Sequence, residues 1–228
     1  CICRKESEIM GDKCDKLLEA CMTFGFAADY YIENGMAREI SKEEAKQILL
    51  KAEEDGLVHC SSNHKGDKIF ICNCCGCCCE AMIAARRFAI LNPVHTTNFL
   101  PEVDQEKCNG CGKCVSVCPV EAMTLVSAHE PHKPNLKTAR LNEELCLGCG
   151  VCVRNCSLDG IQLRSRPARV ITPMDSTHRV IMMAIERGKL QHLILDNQVF
   201  PSYRGLTVVL SVILKLPPIK QVLASAQL

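Results

Sequence analysis

Tryptophan is absent from this 228-residue chain, and aromatic residues make up only 4% of it. Charge of either sign is also without excess: 27 Lys and Arg stand against 26 Asp and Glu, and no basic face with nucleic-acid character is present. Nucleic acid is therefore not an expected partner. Long apolar runs are missing too. The longest, 206–214, is interrupted by Thr207 and Ser211 and followed by Lys215, which is too short to cross a bilayer. No signal peptide is visible, so the expected setting is a reducing, cytoplasmic one. No nucleophile–base pair, glycine-rich phosphate loop or metal-hydrolase signature occurs, and no catalytic residue is assigned.

Cysteine is what the chain has in abundance, with 19 residues. Eight fall into two copies of one pattern: Cys108, Cys111, Cys114 and Cys118, then Cys146, Cys149, Cys152 and Cys156. Thiolates at C-x2-C-x2-C-x3-C, given twice, are the ligand set for two [4Fe–4S] clusters. Three cysteines at steps of three let a looping backbone wrap one cube, while the fourth leaves in another direction and ligates the other cube. One cluster is accordingly assigned to Cys108, Cys111, Cys114 and Cys156, the other to Cys146, Cys149, Cys152 and Cys118. Gly110, Gly112, Gly148 and Gly150 let the chain turn tightly and bring N–H groups near sulfur. A disulfide framework would need an oxidising compartment, and zinc would be satisfied by C-x2-C alone; the doubled triplet ending in Cys-Pro is more particular than either. The formal charge of +1 counts thiols as neutral. Two bound clusters would bring it to about −3, and four to about −7.

On these motifs, residues 99–165 resemble the bacterial-type two-cluster ferredoxin family, over a little under a third of the chain. The resemblance implies a pseudo-twofold unit with short strands near 100–104, 123–126, 138–142 and 161–164. Two departures stand out. Ser157 occupies the place of the family's second proline and would loosen the turn after Cys156. The connection 127–137 is longer than a minimal ferredoxin needs, and its His129 and His132 read as part of a solvated loop.

The other eleven cysteines lie upstream: Cys1, Cys3, Cys14, Cys21, Cys60, and the run Cys72, Cys74, Cys75, Cys77, Cys78 and Cys79. Cys72, Cys75 and Cys78 repeat the triplet register, and Cys74 and Cys77 form a nested pair. A third and a fourth [4Fe–4S] cluster are expected from this set, giving three or four in total. Either Cys1, Cys3, Cys14 and Cys21 close a cube among themselves, or they lend ligands to the Cys72/Cys75/Cys78 triplet; spacing does not choose. The N-terminal C-x-C-R stretch followed by Cys-Asn-Cys-Cys-Gly-Cys-Cys-Cys resembles the ferredoxin-like accessory domain of iron–sulfur proteins from anaerobes, over roughly residues 1–90. A ligand at Cys1 would place the natural start further upstream.

Local signals complete the reading. Ser41-Lys-Glu-Glu44 is a capping box opening a helix to about Asp55, with Gly56 beyond its end. Residues 57–60 and 68–72 read as a hairpin, and 78–91 as a helix bearing Arg86 and Arg87 on a solvated face. In the tail, Asp175 or Ser176 caps a helix stopped by Gly188, 193–195 reads as a short strand or turn, and 205–216 and 219–227 as helices parted by Pro217-Pro218. The expected fold class is α+β: an N-terminal cysteine-rich, mainly helical iron–sulfur domain (1–95), a dicluster ferredoxin-like domain (96–166) and a C-terminal helical docking extension (167–228).

The expected function is an electron-transfer subunit of anaerobic metabolism. It would relay electrons between a partner oxidoreductase (a flavoprotein or metalloenzyme) and a second carrier, within a hetero-oligomeric complex. The alternative is an iron–sulfur enzyme with a substrate-binding or disulfide-active cluster in the Cys72–Cys79 region. A redox-sensing regulator, faintly suggested by the helix and hairpin at 42–72, lacks a basic recognition face.

Overall fold

In a computed structural model of the chain, residues 1–12, 14–88, 97–128, 135–167, 172–186, 189–195 and 201–216 are described. Helices and small antiparallel sheets are mixed, so the fold is α+β as expected. Contact density separates two units, Cys1–Ser61 with Lys68–Val170, and 62–67 with Ile171–Leu228.

The first unit opens with α1 (Ile2–Ile9), β1 (Met22–Thr23), α2 (Phe26–Glu33) and α3 (Lys42–Glu54). The capping box forms as read: Ser41 Oγ accepts from Glu44 N at 3.1 Å, and Gly56 follows the helix with φ +70°. Next come β2 (Val58–Cys60), β3 (Phe70–Cys74) and α4 (Glu80–Phe88). The expected hairpin is present, with Cys60 opposite Cys72 and Val58 opposite Cys74. A third strand, not anticipated, joins its other edge, giving the order β1-β3-β2. Two residues are too few to show alternation in sequence, which is why β1 escaped notice. The expected end of the helix at residue 91 lies outside the described residues.

The cysteine repeat then builds β4 (Phe99–Val103), α5 (Lys113–Ser116), β5 (Met123–Ser127), β6 (Lys137–Leu141), α6 (Val151–Arg154) and β7 (Ile161–Ser165). β4 pairs with β7 and β5 with β6, both antiparallel. Each half therefore contributes one short helix and exchanges strand partners with its repeat. The two turns after Cys118 and Cys156 match: Glu121 and Asp159 both take left-handed backbone, at φ 55° and 50°. Ser157 in place of proline thus leaves the same turn. His129 and His132 lie outside the described residues.

Two ion pairs and a close backbone approach are among the contacts that join the upstream part of this unit to the repeat. Arg154 meets Glu53 at 2.9 Å and Arg86 meets Glu121 at 3.2 Å. Gly76 lies so near Pro119 that an added Cβ would stand 2.8 Å from its Cα and carbonyl oxygen, and only glycine fits there.

The second unit holds α7 (Ser176–Glu186), α8 (Leu190–Ile194) and α9 (Pro201–Lys215). Asp175 Oδ1 accepts from His178 N at 2.8 Å, so Asp175 serves the expected cap. The strand or turn expected at 193–195 is corrected by α8, which is helical through Ile194. Leu190, Leu193 and Ile194 fall at helical spacing, a signal too short to weigh in sequence. Residues 219–227 and Gly188 lie outside the described residues.

Candidate metal centres

The cysteine repeat surrounds two hollows. One is lined by Cys108, Cys111, Cys114 and Cys156. The other is lined by Cys118, Cys146, Cys149 and Cys152. Each hollow thus takes three thiols from one triplet and the last thiol of the other. Backbone amides face the sulfurs: Ala122 N lies 3.2 Å from Cys118 Sγ, Gly160 N 3.3 Å from Cys156 Sγ, and Gly148 N 3.3 Å from Cys146 Sγ. Such donors favour thiolate and support added negative charge.

Glycine is required where the loops pass their neighbours. At Gly148 (φ +65°) an added Cβ would collide with Thr97 Oγ1 and the Phe99 carbonyl. At Gly110 (φ +70°) it would collide with the Lys137 carbonyl. The two sites are related by the repeat: each loop is held against the start of the strand that precedes the other half's cysteines.

Electrostatics in the second hollow reflect crowded, buried thiols. Burial, then the proximity of Cys118 and Cys146, pushes Cys149 up to about 11. Burial, then Cys149, Cys146 and Cys118, pushes Cys152 up to about 12. A cationic cluster core is what such a set needs in order to ionise. Thiol number and inward N–H groups both fit a [4Fe–4S] cluster.

The upstream thiols gather in two tufts. Strand register explains the first. Cys72 and Cys74 share one face of β3 because strand side chains alternate, and Cys60 lies opposite Cys72 on that face. Cys21, just before β1, extends the pairing toward Cys72, and Cys79 arrives at the start of α4. The neighbouring thiols of Cys60, Cys72 and Cys79, and then burial, push the Cys74 thiol up. The thiols of Cys21 and Cys74 outweigh burial and hold Cys72 down. The Cys74 thiol, and then the Met82 and Ala81 amides, outweigh burial and hold Cys79 down to about 6. On the opposite face of β3, Asn73 is fully buried; its side chain donates to the Ala20 carbonyl and meets His59 Nδ1. That amide locks β1, β3 and β2 in the register that aligns the thiols.

The second tuft is Cys14, Cys75, Cys77 and Cys78, whose sulfurs all lie within 4.8 Å of one another. The turn 76–78 after β3 supplies two of them directly beside Cys75, and the loop after α1 supplies Cys14. The Cys72/Cys75/Cys78 triplet is therefore divided, with Cys72 in the first tuft and the other two in the second. Nor do Cys1, Cys3, Cys14 and Cys21 come together as one group. Cys3 packs with Cys14 against Ala52, Leu57, Cys75 and Cys78, while Cys21 precedes β1, whose register leads it toward Cys72. Strand register brings Cys60 to the first tuft and the chain entering α4 brings Cys79, and sequence spacing displays neither.

Comparison with known proteins now bears on the repeat. Residues 107–159 match the 4Fe-4S dicluster domain family. This segment is a 4Fe-4S dicluster domain. It implies two [4Fe–4S] clusters. The chain is 40% identical over 72 residues to a subunit of the ion-translocating oxidoreductase complex of Methanosarcina acetivorans, covering 30% of this chain and 25% of that protein. It is 67% identical over 27 residues to a subunit of the Na(+)-translocating ferredoxin:NAD(+) oxidoreductase complex of Acetobacterium woodii, 12% of this chain and 8% of that protein. The chain thus spans a quarter or less of the curated relatives it matches. Among the described residues, no helix is long and apolar enough to cross a membrane.

Proposed function

We propose that the chain is an electron-transfer subunit that passes electrons between a partner oxidoreductase, carrying a flavin or metal site, and a second carrier. In this reading Cys108, Cys111, Cys114 and Cys156 hold one cluster of the dicluster domain, and Cys146, Cys149, Cys152 and Cys118 hold the other. A third cluster takes its ligands from Cys21, Cys60, Cys72, Cys74 and Cys79. Bound clusters of this kind supply one-electron storage over a wide span of potentials. The chain's own residues supply thiolates, amide donors to sulfur and dry surroundings that tune those potentials.

One observation carries the reading. Cys60, Cys74 and Cys79 pack in the same apolar core as Cys118, Cys146 and Cys149, with Leu100, Val120, Leu147 and Val151 filling it. Cys114 and Cys152 in turn share a core with Cys108, Cys118 and Cys156. The thiol sites therefore form a continuous series rather than isolated stations. Both relatives are named as subunits of oxidoreductase complexes, which favours a relay in a hetero-oligomeric complex over substrate chemistry in the cysteine run. The three-segment organisation proposed is 1–95, 96–166 and 167–228, with the last as docking extension. α9 suits that role, since Val208, Val209 and Val212 on it are exposed.

The test is anaerobic purification of the full chain, with iron and acid-labile sulfide counted and the clusters titrated by electron paramagnetic resonance. About twelve sulfides per chain, with interacting clusters that accept electrons from a reduced flavoprotein, are expected. About eight sulfides would remove the third cluster, and clusters that none of the tested redox proteins reduces would overturn the relay.

A further inference from the structure

We propose that Cys14, Cys75, Cys77 and Cys78 hold one divalent ion of the zinc or iron type in a tetrahedral S4 site, distinct from the clusters. The geometry of the four sulfurs points to a single ion. Cys77 Sγ lies 3.7 Å from Cys14 Sγ and 3.7 Å from Cys78 Sγ, and all four sulfurs lie within 4.8 Å of one another. A tetrahedron with metal–sulfur bonds of about 2.3 Å has sulfur–sulfur edges of about 3.8 Å. A cube with four irons and four sulfides inside its thiolates needs them much further apart. The dicluster domain provides the internal standard: among the described residues its thiols form no such compact group, whereas these four converge on a point.

Charge supplies an independent argument. Arg4 is 3% exposed, and its guanidinium donates to the Leu17 and Asn73 carbonyls at 2.7 and 2.8 Å. Carbonyls orient the cation without neutralising it, and its Nε is buried with no hydrogen-bond partner among the described residues. The ionisable groups acting on it are Cys75 and Cys14. A buried cation requires a compensating anion. Four thiolates around a divalent ion carry a net −2, which places negative charge beside Arg4.

Ligand chemistry and surroundings agree. Thiolates in a tetrahedral set select zinc or iron among common ions. Ala52 and Leu57 keep the site dry on one side, and Cys77 leaves it reachable from solvent on the other. Cys75 and Cys77 flank Gly76, the residue pressed onto Pro119 beside Cys118. The ion thus fixes the turn through which the upstream part meets the dicluster domain.

The test uses the full chain, purified anaerobically with its clusters. It is expected to contain about one zinc per chain, or about one iron in excess of sulfide, the two arms separating the two ions. Cys14→Ser and Cys77→Ser should lose that ion while sulfide stays unchanged. Cobalt(II) substitution of the unmutated chain should give thiolate charge-transfer bands and tetrahedral d–d bands, which decides the matter if the variants do not fold. Equal loss of iron and sulfide in the variants would assign these cysteines to a cube and overturn the proposal. So would an unmutated chain with neither zinc nor surplus iron. Failure of the relay reading would appear in electron transfer and total sulfide, not in this surplus.

Discussion

In the dicluster domain three thiols of each hollow come from one seven-residue stretch, Cys108 to Cys114 or Cys146 to Cys152. Upstream, a single tuft joins Cys14 to Cys78, and another joins Cys21 and Cys60 to the run at 72–79. The first region makes metal geometry from a local loop, repeated. The second makes it from a strand register and a turn that exist only once distant segments have packed. The electrostatic contrast runs within each region. Burial pushes Cys149 and Cys152 up in the dicluster domain and Cys77 and Cys78 up in the tufts, while hydrogen-bond donors outweigh burial and hold down Cys108 in the first and Cys72 and Cys79 in the second.

The largest expected effect tests the exchange of fourth ligands. Cys118→Ser should remove the same paramagnetic signal as Cys146→Ser and leave that of the Cys108 set, with loss of up to about four irons per chain. If Cys118→Ser instead matched Cys108→Ser, the exchange would be wrong.

A pH experiment on the metal-free chain sharpens the electrostatic contrast. Cys149 and Cys152 hold protons more tightly folded than unfolded, their values of about 11 and 12 exceeding the ordinary 9.0. Their contribution is fully present below pH 9 and is lost as pH rises through 11 and 12. Urea unfolding midpoints should therefore fall across that alkaline window. Cys79, held near 6, has the opposite sign: its contribution is present above pH 9 and lost as pH falls through 6. Mass-spectrometric mapping at pH 7 should accordingly show alkylation of Cys79 before Cys149.

Backbone and side-chain substitutions come next. Gly148→Ala should destabilise the dicluster domain by about 1–3 kcal/mol, since it combines positive φ with a collision against the Phe99 carbonyl. Asn73→Ala should cost about 1–3 kcal/mol and be felt upstream, where hydrogen exchange in β1 and β3 would quicken before that in β4 and β7. The smallest effect is Ser41→Ala, about 1 kcal/mol from the lost cap, read as a lower melting temperature with both thiol regions intact.

Much of this molecule is legible in its residues, and unevenly so. The four dicluster strands fall within a residue or so of the places that the family resemblance, carried by the cysteine repeat, implies for them. The Ser41 helix is legible because its cap, its face and its stop agree. β1 and α8 are not, being shorter than a period of their own pattern. The triplet register Cys72/Cys75/Cys78 looks like the dicluster motif, yet β3 carries its first member away from the other two. Strand alternation from Cys72 to Cys74 and the turn at 76–78 send adjacent cysteines to different tufts.

Spacing along the chain was enough to settle the chemistry: thiolate ligands in the C-x2-C-x2-C-x3-C repeat specify iron and sulfide, since a pattern of this kind acts within one loop. Which upstream thiols meet was left to the packing of distant segments. Cys60 reaches Cys72 through a hydrogen-bonded register, and Cys14 reaches Cys77 across 63 positions of chain. Such contacts depend on Asn73, Arg4 and Gly76 fixing three segments against one another, and that sum of weak, distant interactions has no linear signature.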